Sequence, residues 1–196
     1  MLLSEFTKKF SAENAIILLE GKRNVLENDK AKLIALGKIL ASQFPKAIFR
    51  SGNANGADYY FSKGVSQIAP ERLQVITPYE NHRRKSNVAY DTISLDQIDL
   101  VNEQEIIYQS KSNKKTKSLI DKYVDGSKDR FAIKAAYIIR DTVKVIGTNS
   151  GIPPINFAFF YDDFDNPRTG GTGHTMTICE INNIPYLTQE IWNEWI

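Results

Sequence analysis

Short apolar runs alternate with segments of helical periodicity over the first 80 residues. The runs at 14–21, 46–52 and 72–80 are continuous, which predicts strands that are buried on both faces. Between them, apolar residues recur at helical spacing over 28–44, and a second helix is predicted to begin near Gly56. Because strands that alternate with helices are joined by crossovers, this order predicts a parallel sheet with helices on both faces.

The second half of the chain begins with a polar stretch, 81–126, whose scattered periodicity predicts a helical insertion. A helix is expected from Ser127, as its N-cap, to about Arg140. The next residues, TVKVIG, fit either a short strand or an irregular turn. A further buried strand is predicted at 154–162, followed by a turn-rich loop, a helix, a strand at IPYL and a terminal helical turn.

These elements predict one α/β domain over residues 1–196, a Rossmann-like three-layer sandwich with a mostly parallel central sheet and a helical insertion. A hydrophobic content of 42% suits one sizeable core. The single cysteine excludes an internal disulfide framework. The N-terminus has no signal-peptide pattern, and the apolar runs are too short to span a bilayer, so we expect a soluble, cytoplasmic protein with no membrane partner.

Two glycine-containing turns each follow a predicted strand: RSGNANGAD over 50–58 and RTGGTGHT over 168–175. Ligands of open parallel sheets bind outside the carboxyl ends of the strands, so both turns are expected at one edge. The N–H groups in the first turn of a helix lack partners, and glycine lets an anion approach them closely. We therefore predict a phosphate held between the turns, with hydroxyl donors from Thr169, Thr172 and Thr175.

The two turns resemble motifs of the SLOG superfamily, the LOG/Smf/DprA-like Rossmannoid group. One family turn reads roughly S-G-G/x-x-x-G-A-D, and a later G-G-T-G-H/T precedes a helix and a strand beginning with IP. The matching stretches here are Ser51–Asp58 and Gly170–His174, and Arg140 matches an arginine at a helix end in phage and bacterial members. The resemblance covers about 14–80 and 127–190. It implies a pocket for nucleotides or nucleotide-derived signals across the two turns.

Candidate ligand contacts come from both turns and from neighbouring element ends. Asp58 could hold a ribose hydroxyl or complement a helix dipole, and His174 could bind a phosphate or base or bond a backbone group. Arg23 and Arg140 carry guanidinium groups suited to phosphate. The complete candidate set is Gly21, Arg23, Ser51, Gly52, Asn53, Gly56, Ala57, Asp58, Arg140, Thr169, Gly170, Gly171, Thr172, Gly173, His174 and Thr175.

Catalysis is the open question of this motif. The phosphoribohydrolase branch of the family carries a catalytic glutamate in G-G-x-G-T-x-x-E, and Thr177 stands at that position here. Hydrolysis of an N-glycosidic bond needs a carboxylate, so a different one, such as Glu180 or Asp163, would have to supply it. The expected function is nucleotide or nucleotide-derivative binding. The alternatives are a phosphoribohydrolase-like N-glycosidase with a relocated carboxylate, and a DNA-binding module of the DNA-processing protein A type.

No resident cofactor is expected. The aspartates Asp162, Asp163 and Asp165 could hold Mg²⁺ with a nucleotide, or bond their own backbone in a turn. The expected partner is a small nucleotide-type ligand, and a homodimer is an option. With a net charge of only +2, nucleic acid is considered an unlikely partner. A local basic face could still form from Lys85, Lys111, Lys114, Lys115 and Lys117.

Overall fold

The computed structural model describes residues 2–10, 14–126 and 129–196. The strands of this part are β1 Ile16–Gly21, β2 Ile48–Ser51, β3 Leu73–Thr77, β4 Asp91–Ser94, β5 Phe157–Tyr161 and β6 Tyr186–Thr188. The α-helices are α1 Leu3–Phe10, α2 Glu27–Gln43, α3 Ala57–Ser66, α4 Gln104–Ser110, α5 Lys117–Val124, α6 Arg130–Ile146, α7 Gly170–Ile181 and α8 Gln189–Trp192.

The described strands form one six-stranded sheet in the order β4-β3-β2-β1-β5-β6, and every pairing is parallel. Strand β1 is central, with Ile17 opposite Phe49 of β2 and Phe157 of β5. All five residues of β5 are buried, as its unbroken apolar sequence predicts. The fold class expected from the sequence is confirmed.

Helices cover both faces of the sheet. On one face, Ile17 and Leu19 of β1 pack into a core with residues of α1, α2, α3 and α8. On the other, Ile16 and Leu18 pack with residues of α6 and α7. Helices α4 and α5 pack on α6 from outside, where Ile106, Ile120 and Ile139 share a core cluster. These layers form a three-layer sandwich.

Two parts of the chain differ from the sequence-based expectation. The segment 81–126 contributes an edge strand, β4, as well as helices. This strand was not predicted because its DTIS sequence is polar and carries no strand periodicity. The TVKVIG stretch continues α6, since Val143 and Val145 are buried on the helix. Ser127 lies outside the described residues, and the side chain of Asp129 caps α6 instead by accepting from two amides.

The chain order places a binding crevice at the centre of the sheet. From β1 the chain runs outward through β2, β3 and β4, then returns to β5 on the opposite side of β1. Ligands of open α/β sheets bind at this kind of switch point, outside the carboxyl ends of the strands. The loops that follow β1, β2 and β5 meet there. No helix of the described ranges combines the length and the apolar character that a membrane span requires.

Candidate functional site

A cleft of about 650 Å³ opens at this edge of the sheet. Its walls come from the loop after β1, the first glycine turn, α6, residues 113–116 and the start of α7. The structure thus brings together residues as far apart in sequence as Glu20 and His174. The predicted site residues that line the cleft are Gly21, Arg23, Asp58, Arg140, Asp163, Thr169, Gly170, Gly171, Thr172 and His174.

Other predicted residues lie behind the cleft wall. They are Ser51, Gly52, Asn53, Gly56, Ala57, Gly173 and Thr175. Two of them make hydrogen bonds within the protein. The Asn53 side-chain amide donates to the carbonyl of His82 at 3.1 Å, and the Thr175 hydroxyl donates to Glu20 at 2.9 Å. Most of the first glycine turn is therefore part of the scaffold of the site.

The first glycine turn is closed by a carboxylate of the protein. Asp58, which is buried, accepts from the amides of Gly52 at 3.2 Å and Ala54 at 3.3 Å. Its other oxygen accepts from the Gly21 amide at 3.1 Å. The guanidinium of Arg140 donates to the carbonyl of Gly52. Two amides of the turn that the sequence offered to a phosphate, those of Gly52 and Ala54, are thus engaged by Asp58.

Close packing requires glycine at one position of each turn, Gly52 in the first and Gly173 in the second. A Cβ on Gly52 would overlap the Arg140 guanidinium, and a Cβ on Gly173 would overlap the carbonyl of Arg168. In contrast, nothing lies near the place of a Cβ on Gly170, and the Asp141 carboxylate is 3.0 Å from that of Gly171. Of these four glycines, Gly170 therefore has open space beside it, and Gly171 has only the end of the Asp141 side chain close to it.

The second glycine turn leaves its amides open. Helix α7 begins at Gly170, and the amides of Gly170, Gly171 and Thr172 have no acceptor in the described part of the chain. The Thr169 hydroxyl makes no capping bond to them, and it donates to the carbonyl of Asn166 at 2.9 Å. These free N–H groups, together with the helix dipole, attract an anion.

Lys22 places a positive charge beside the open helix end. Its ammonium donates to the Thr169 hydroxyl at 2.9 Å and to Asp163 at 3.0 Å. Asp163 also accepts from the amides of Asp165 and Asn166, and the bond from Asn166, followed by that from Lys22, lowers the pKa of the Asp163 carboxyl. The aspartate thus bonds its own turn. No cluster of three or more potential metal-ligating His, Cys, Asp or Glu residues occurs within the described ranges.

Charged groups are buried in the cleft floor. Lys144, fully buried, pairs with Glu20 at 2.6 Å and with Asp141 at 2.9 Å, and Arg140 pairs with Asp141 at 3.0 Å. Burial raises the pKa of Glu20 to about 7, against the opposing charge of Lys144. Burial also acts to raise the pKa of Asp141, but the charges of Arg140 and Lys144 outweigh it and lower that pKa. One carboxylate of this cluster therefore titrates near neutral pH.

His174 is also turned to the protein. Its Nε2 lies 3.0 Å from the Thr142 hydroxyl, which in turn bonds the carbonyl of Ile138 at 3.3 Å. The two bonds fit together when Nε2 carries the proton and donates to Thr142. Burial lowers the pKa of His174, which keeps the ring neutral near pH 7. The ring lines the cleft but its Nε2 is engaged.

Cations and an aromatic ring form the rim of the cleft. The Arg23 guanidinium lies 5.8 Å from the ring centroid of Tyr137, and that of Arg140 lies 5.5 Å from it. Lys134 of α6 and Lys115 of the inserted segment line the same cleft and are exposed. Of the lysines expected to form a basic face, Lys115 thus reaches the site.

Several cleft residues were missed in the sequence. Glu20 and Lys22 flank Gly21 at the end of the apolar run IILLEGKR, where charged residues after a buried strand signal a site at the sheet edge. Tyr137 and Asp141 line the cleft one helical turn apart on α6, and the fully buried Lys144 follows Asp141 at the next turn. A polar stripe of that spacing was the signal that could have identified them.

The structure does not bring Glu180 to the cleft. On the exposed side of α7, its carboxylate pairs with Arg168 at 2.8 Å and accepts from the Tyr186 hydroxyl at 2.8 Å. The bond from Arg168, followed by that from Tyr186, lowers the pKa of Glu180. Helical geometry explains the placement, because Glu180 is ten residues beyond the helix start and faces away from it.

Comparisons with known proteins identify the fold. No family model matches the sequence, and no characterised protein matches it at the sequence level. The structure resembles that of DNA processing protein A from Helicobacter pylori, with a TM-score of 0.50 and 12% sequence identity. The match covers 92% of this chain and 67% of the other. The chain therefore has a Rossmann-type fold similar to that of DNA processing protein A.

The same comparison corrects one expectation. The Helicobacter pylori protein is described by its single-stranded DNA binding mode. The expectation that nucleic acid is an unlikely partner, which was drawn from the near-neutral net charge, is contradicted by this finding. Net charge sums over the whole surface, whereas binding depends on the charge at one place. Here Lys22, Arg23, Lys115 and Lys134 gather at one cleft.

Proposed function

We propose that the cleft binds single-stranded nucleic acid, with one backbone phosphate at the N-terminus of α7. The observation that carries the proposal is the set of free amides at Gly170, Gly171 and Thr172, which face a cleft at the switch point of the sheet. Lys22 lies beside them. A phosphate there would accept main-chain hydrogen bonds and complete a charge pair with the lysine.

The rim supports a strand as the ligand. Arg23, Lys115 and Lys134 can contact further phosphates, and each such contact releases counterions from the strand. Tyr137 offers a partly exposed ring backed by two guanidinium groups. Unpaired bases stack on aromatic rings of this kind, which favours single strands over duplexes.

The fold and the motifs support the same ligand. DNA processing protein A shares this architecture and binds single-stranded DNA. Membership of the SLOG superfamily is part of this proposal, since its two turn motifs occur in the right order around β2 and α7. Fold alone does not decide function, so the open amides and the cations at the cleft remain the main argument.

A free nucleotide is the second candidate. Its support is the cleft floor, where the carboxylates of Glu20 and Asp141 line a cavity of about 650 Å³ and could accept from sugar hydroxyls. Both candidates share a phosphate ester at α7. They differ in whether the cations of the outer rim, Lys115 and Lys134, take part.

Fluorescence anisotropy separates these candidates. The probes are a labelled oligothymidylate of about 12 nucleotides, a duplex of equal length, and thymidine monophosphate as competitor. We expect the strand to bind more tightly than the duplex. Its affinity should fall between about 50 mM and about 200 mM salt, with a slope near −0.7 per phosphate contact.

Matched variants assign the binding to the cleft. Lys134→Met should weaken strand binding, whereas Lys30→Met, which changes an α2 lysine paired with Glu27, should not. Tight binding of the monophosphate with no binding of the strand would favour the free-nucleotide function. Failure of both ligands to bind would contradict the proposal.

A further inference from the structure

A second, smaller pocket lies at the same edge of the sheet, beyond the end of β3. It has a volume of about 340 Å³, and its lining includes Thr77, His82, Arg84 and Thr92. Thr77 ends β3 and Thr92 belongs to β4, so the pocket sits over the outer two strands. It shares no lining residue with the cleft described above.

His82 in this pocket has unused hydrogen-bonding groups. Its side chain is only 4% exposed, yet neither ring nitrogen has a hydrogen-bond partner among the described residues. A buried polar group without a partner destabilises the fold, because it has lost its hydrogen bonds to water and gained none in return. Such a group in a pocket wall is the kind of feature that a ligand satisfies.

The surroundings of His82 are positively charged. Burial, followed by the charges of Arg83, Arg140 and Arg23, lowers the pKa of His82 to about 4. The imidazole is therefore neutral near pH 7 and has one N–H to donate. The arginines that disfavour a positive charge on His82 create a positive electrostatic potential in the pocket. The same potential favours binding of an anion.

One aromatic ring separates this pocket from the cleft. The His82 ring packs edge-on against Tyr137, with ring centroids 5.5 Å apart, and Tyr137 lines the cleft. Tyr79 packs on His82 at a centroid distance of 4.9 Å. The bond from the Asn53 amide to the carbonyl of His82 ties this loop to the first glycine turn.

We infer that the small pocket binds a second phosphate of the same strand, which accepts from the imidazole of His82 and the guanidinium of Arg84. This inference rests on the proposed function and deepens it. The strand would pass Tyr137, with one phosphate at α7 and another beside β3. A mononucleotide at α7 would leave the small pocket empty, so the ligand class is an oligonucleotide.

Nuclear magnetic resonance of the imidazole nitrogens tests this directly, because the chain has only two histidines. We expect an oligothymidylate of about four nucleotides to shift the ¹⁵N resonances of His82. Thymidine monophosphate should leave them in place. Equal shifts of His82 with both ligands, or no shift with the oligonucleotide, would overturn the inference.

Variants give an independent readout. His82→Phe keeps a ring for Tyr79 and Tyr137 while removing the nitrogens, and Arg84→Met removes the second donor. Each should lower oligonucleotide affinity by about 10- to 100-fold, as expected for a hydrogen bond to a charged group. Monophosphate affinity should not change. Lys85→Met is the control, since Lys85 is exposed beside Arg84 but does not line the pocket.

The outcomes distinguish the two proposals. If the Lys134→Met variant loses affinity while His82→Phe and Arg84→Met bind like the wild type, the second phosphate site is wrong and strand binding at the cleft stands. If the wild-type chain binds no oligonucleotide, both proposals are wrong. If His82→Phe lowers the melting temperature, the oligonucleotide affinity of Arg84→Met tests the second phosphate site instead, because Arg84 is an exposed side chain.

Discussion

The two glycine turns are similar in sequence and opposite in what meets their amides. In the first, Asp58 accepts from Gly52 and Ala54, and Gly52 itself is buried. In the second, Gly170 and Gly171 are exposed, and their amides have no acceptor in the described chain. A glycine turn at the start of a helix can therefore be either an internal joint or a ligand site.

The difference depends on one carboxylate. The first turn carries an aspartate, Asp58, as the second residue of its helix, where it folds back onto the turn. The second turn, GGTGHT, contains no acidic residue. An internal carboxylate fills the place that an external phosphate would take, so the acidic residue in a motif of this kind argues for closure of that turn.

The largest expected effect comes from breaking the closed turn. Asp58→Ala leaves the amides of Gly21, Gly52 and Ala54 without their acceptor and removes one of the carboxylates near Arg140, which keeps its pair with Asp141. Because each unsatisfied buried amide is costly, we expect a loss of about 3–5 kcal/mol in the free energy of unfolding. Urea denaturation measures it. A loss below about 1 kcal/mol would show that the turn does not need its carboxylate.

Asp163→Ala is the matched control for this variant. It removes a loop aspartate that also accepts backbone amides but is partly exposed. Its cost should be within about 1 kcal/mol, because water can replace the lost bonds.

Filling the open turn should abolish binding and spare the fold. In Gly171→Val the added side chain covers the α7 amides, and only the Asp141 carboxylate lies close to the new Cβ. We expect strand affinity to fall at least about 10-fold, which is 1.4 kcal/mol. Anisotropy gives the affinity and urea denaturation the stability. Retained affinity would place the phosphate elsewhere.

Glu20 lies between the two turns and makes stability depend on pH. Because the folded pKa of about 7 is above the ordinary 4.5, the stabilisation is complete below pH 4.5 and is lost as pH rises to about 7. His82 and His174, whose pKa values are lowered, act in the opposite direction as pH falls below 6.5. The contribution of Glu20 to the pH dependence of stability is therefore obtained by comparing the wild type with a variant that lacks this carboxyl group.

Glu20→Gln supplies that difference. Between pH 4.5 and 7 the wild type should lose stability relative to the variant, with a slope of at most about 1.4 kcal/mol per pH unit. Denaturation curves at several pH values measure it. Parallel pH profiles for the two proteins would contradict a titration of Glu20 in this range.

The smallest effect is expected at Lys22. Lys22→Met removes one phosphate contact near α7, so the slope of affinity against salt should become shallower by about 0.7. The change in unfolding free energy should stay within about 1 kcal/mol, because the pair with Asp163 is partly exposed. An unchanged salt slope would mean that this lysine serves only the loop.

Much of this architecture could be predicted from the sequence. Continuous apolar runs identified β1, β2, β3 and β5, since strands covered on both faces need apolar residues at every position. The short polar strand β4 escaped detection because it lies at the sheet edge and has no such pattern. The end of α6 escaped for the opposite reason: its β-branched residues are typical of a strand, but packing holds them in a helix.

The sequence by itself determined the parallel sheet, the position of both glycine turns at one edge, and several of the residues that meet there, because each follows from local periodicity and chain order. Only the tertiary structure decided which turn is open. Asp58, which accepts from the Gly52 amide, is only six positions away, but Arg140, which donates to the Gly52 carbonyl, is 88 positions away. Local patterns carry no record of those contacts, since they form only when the layers pack.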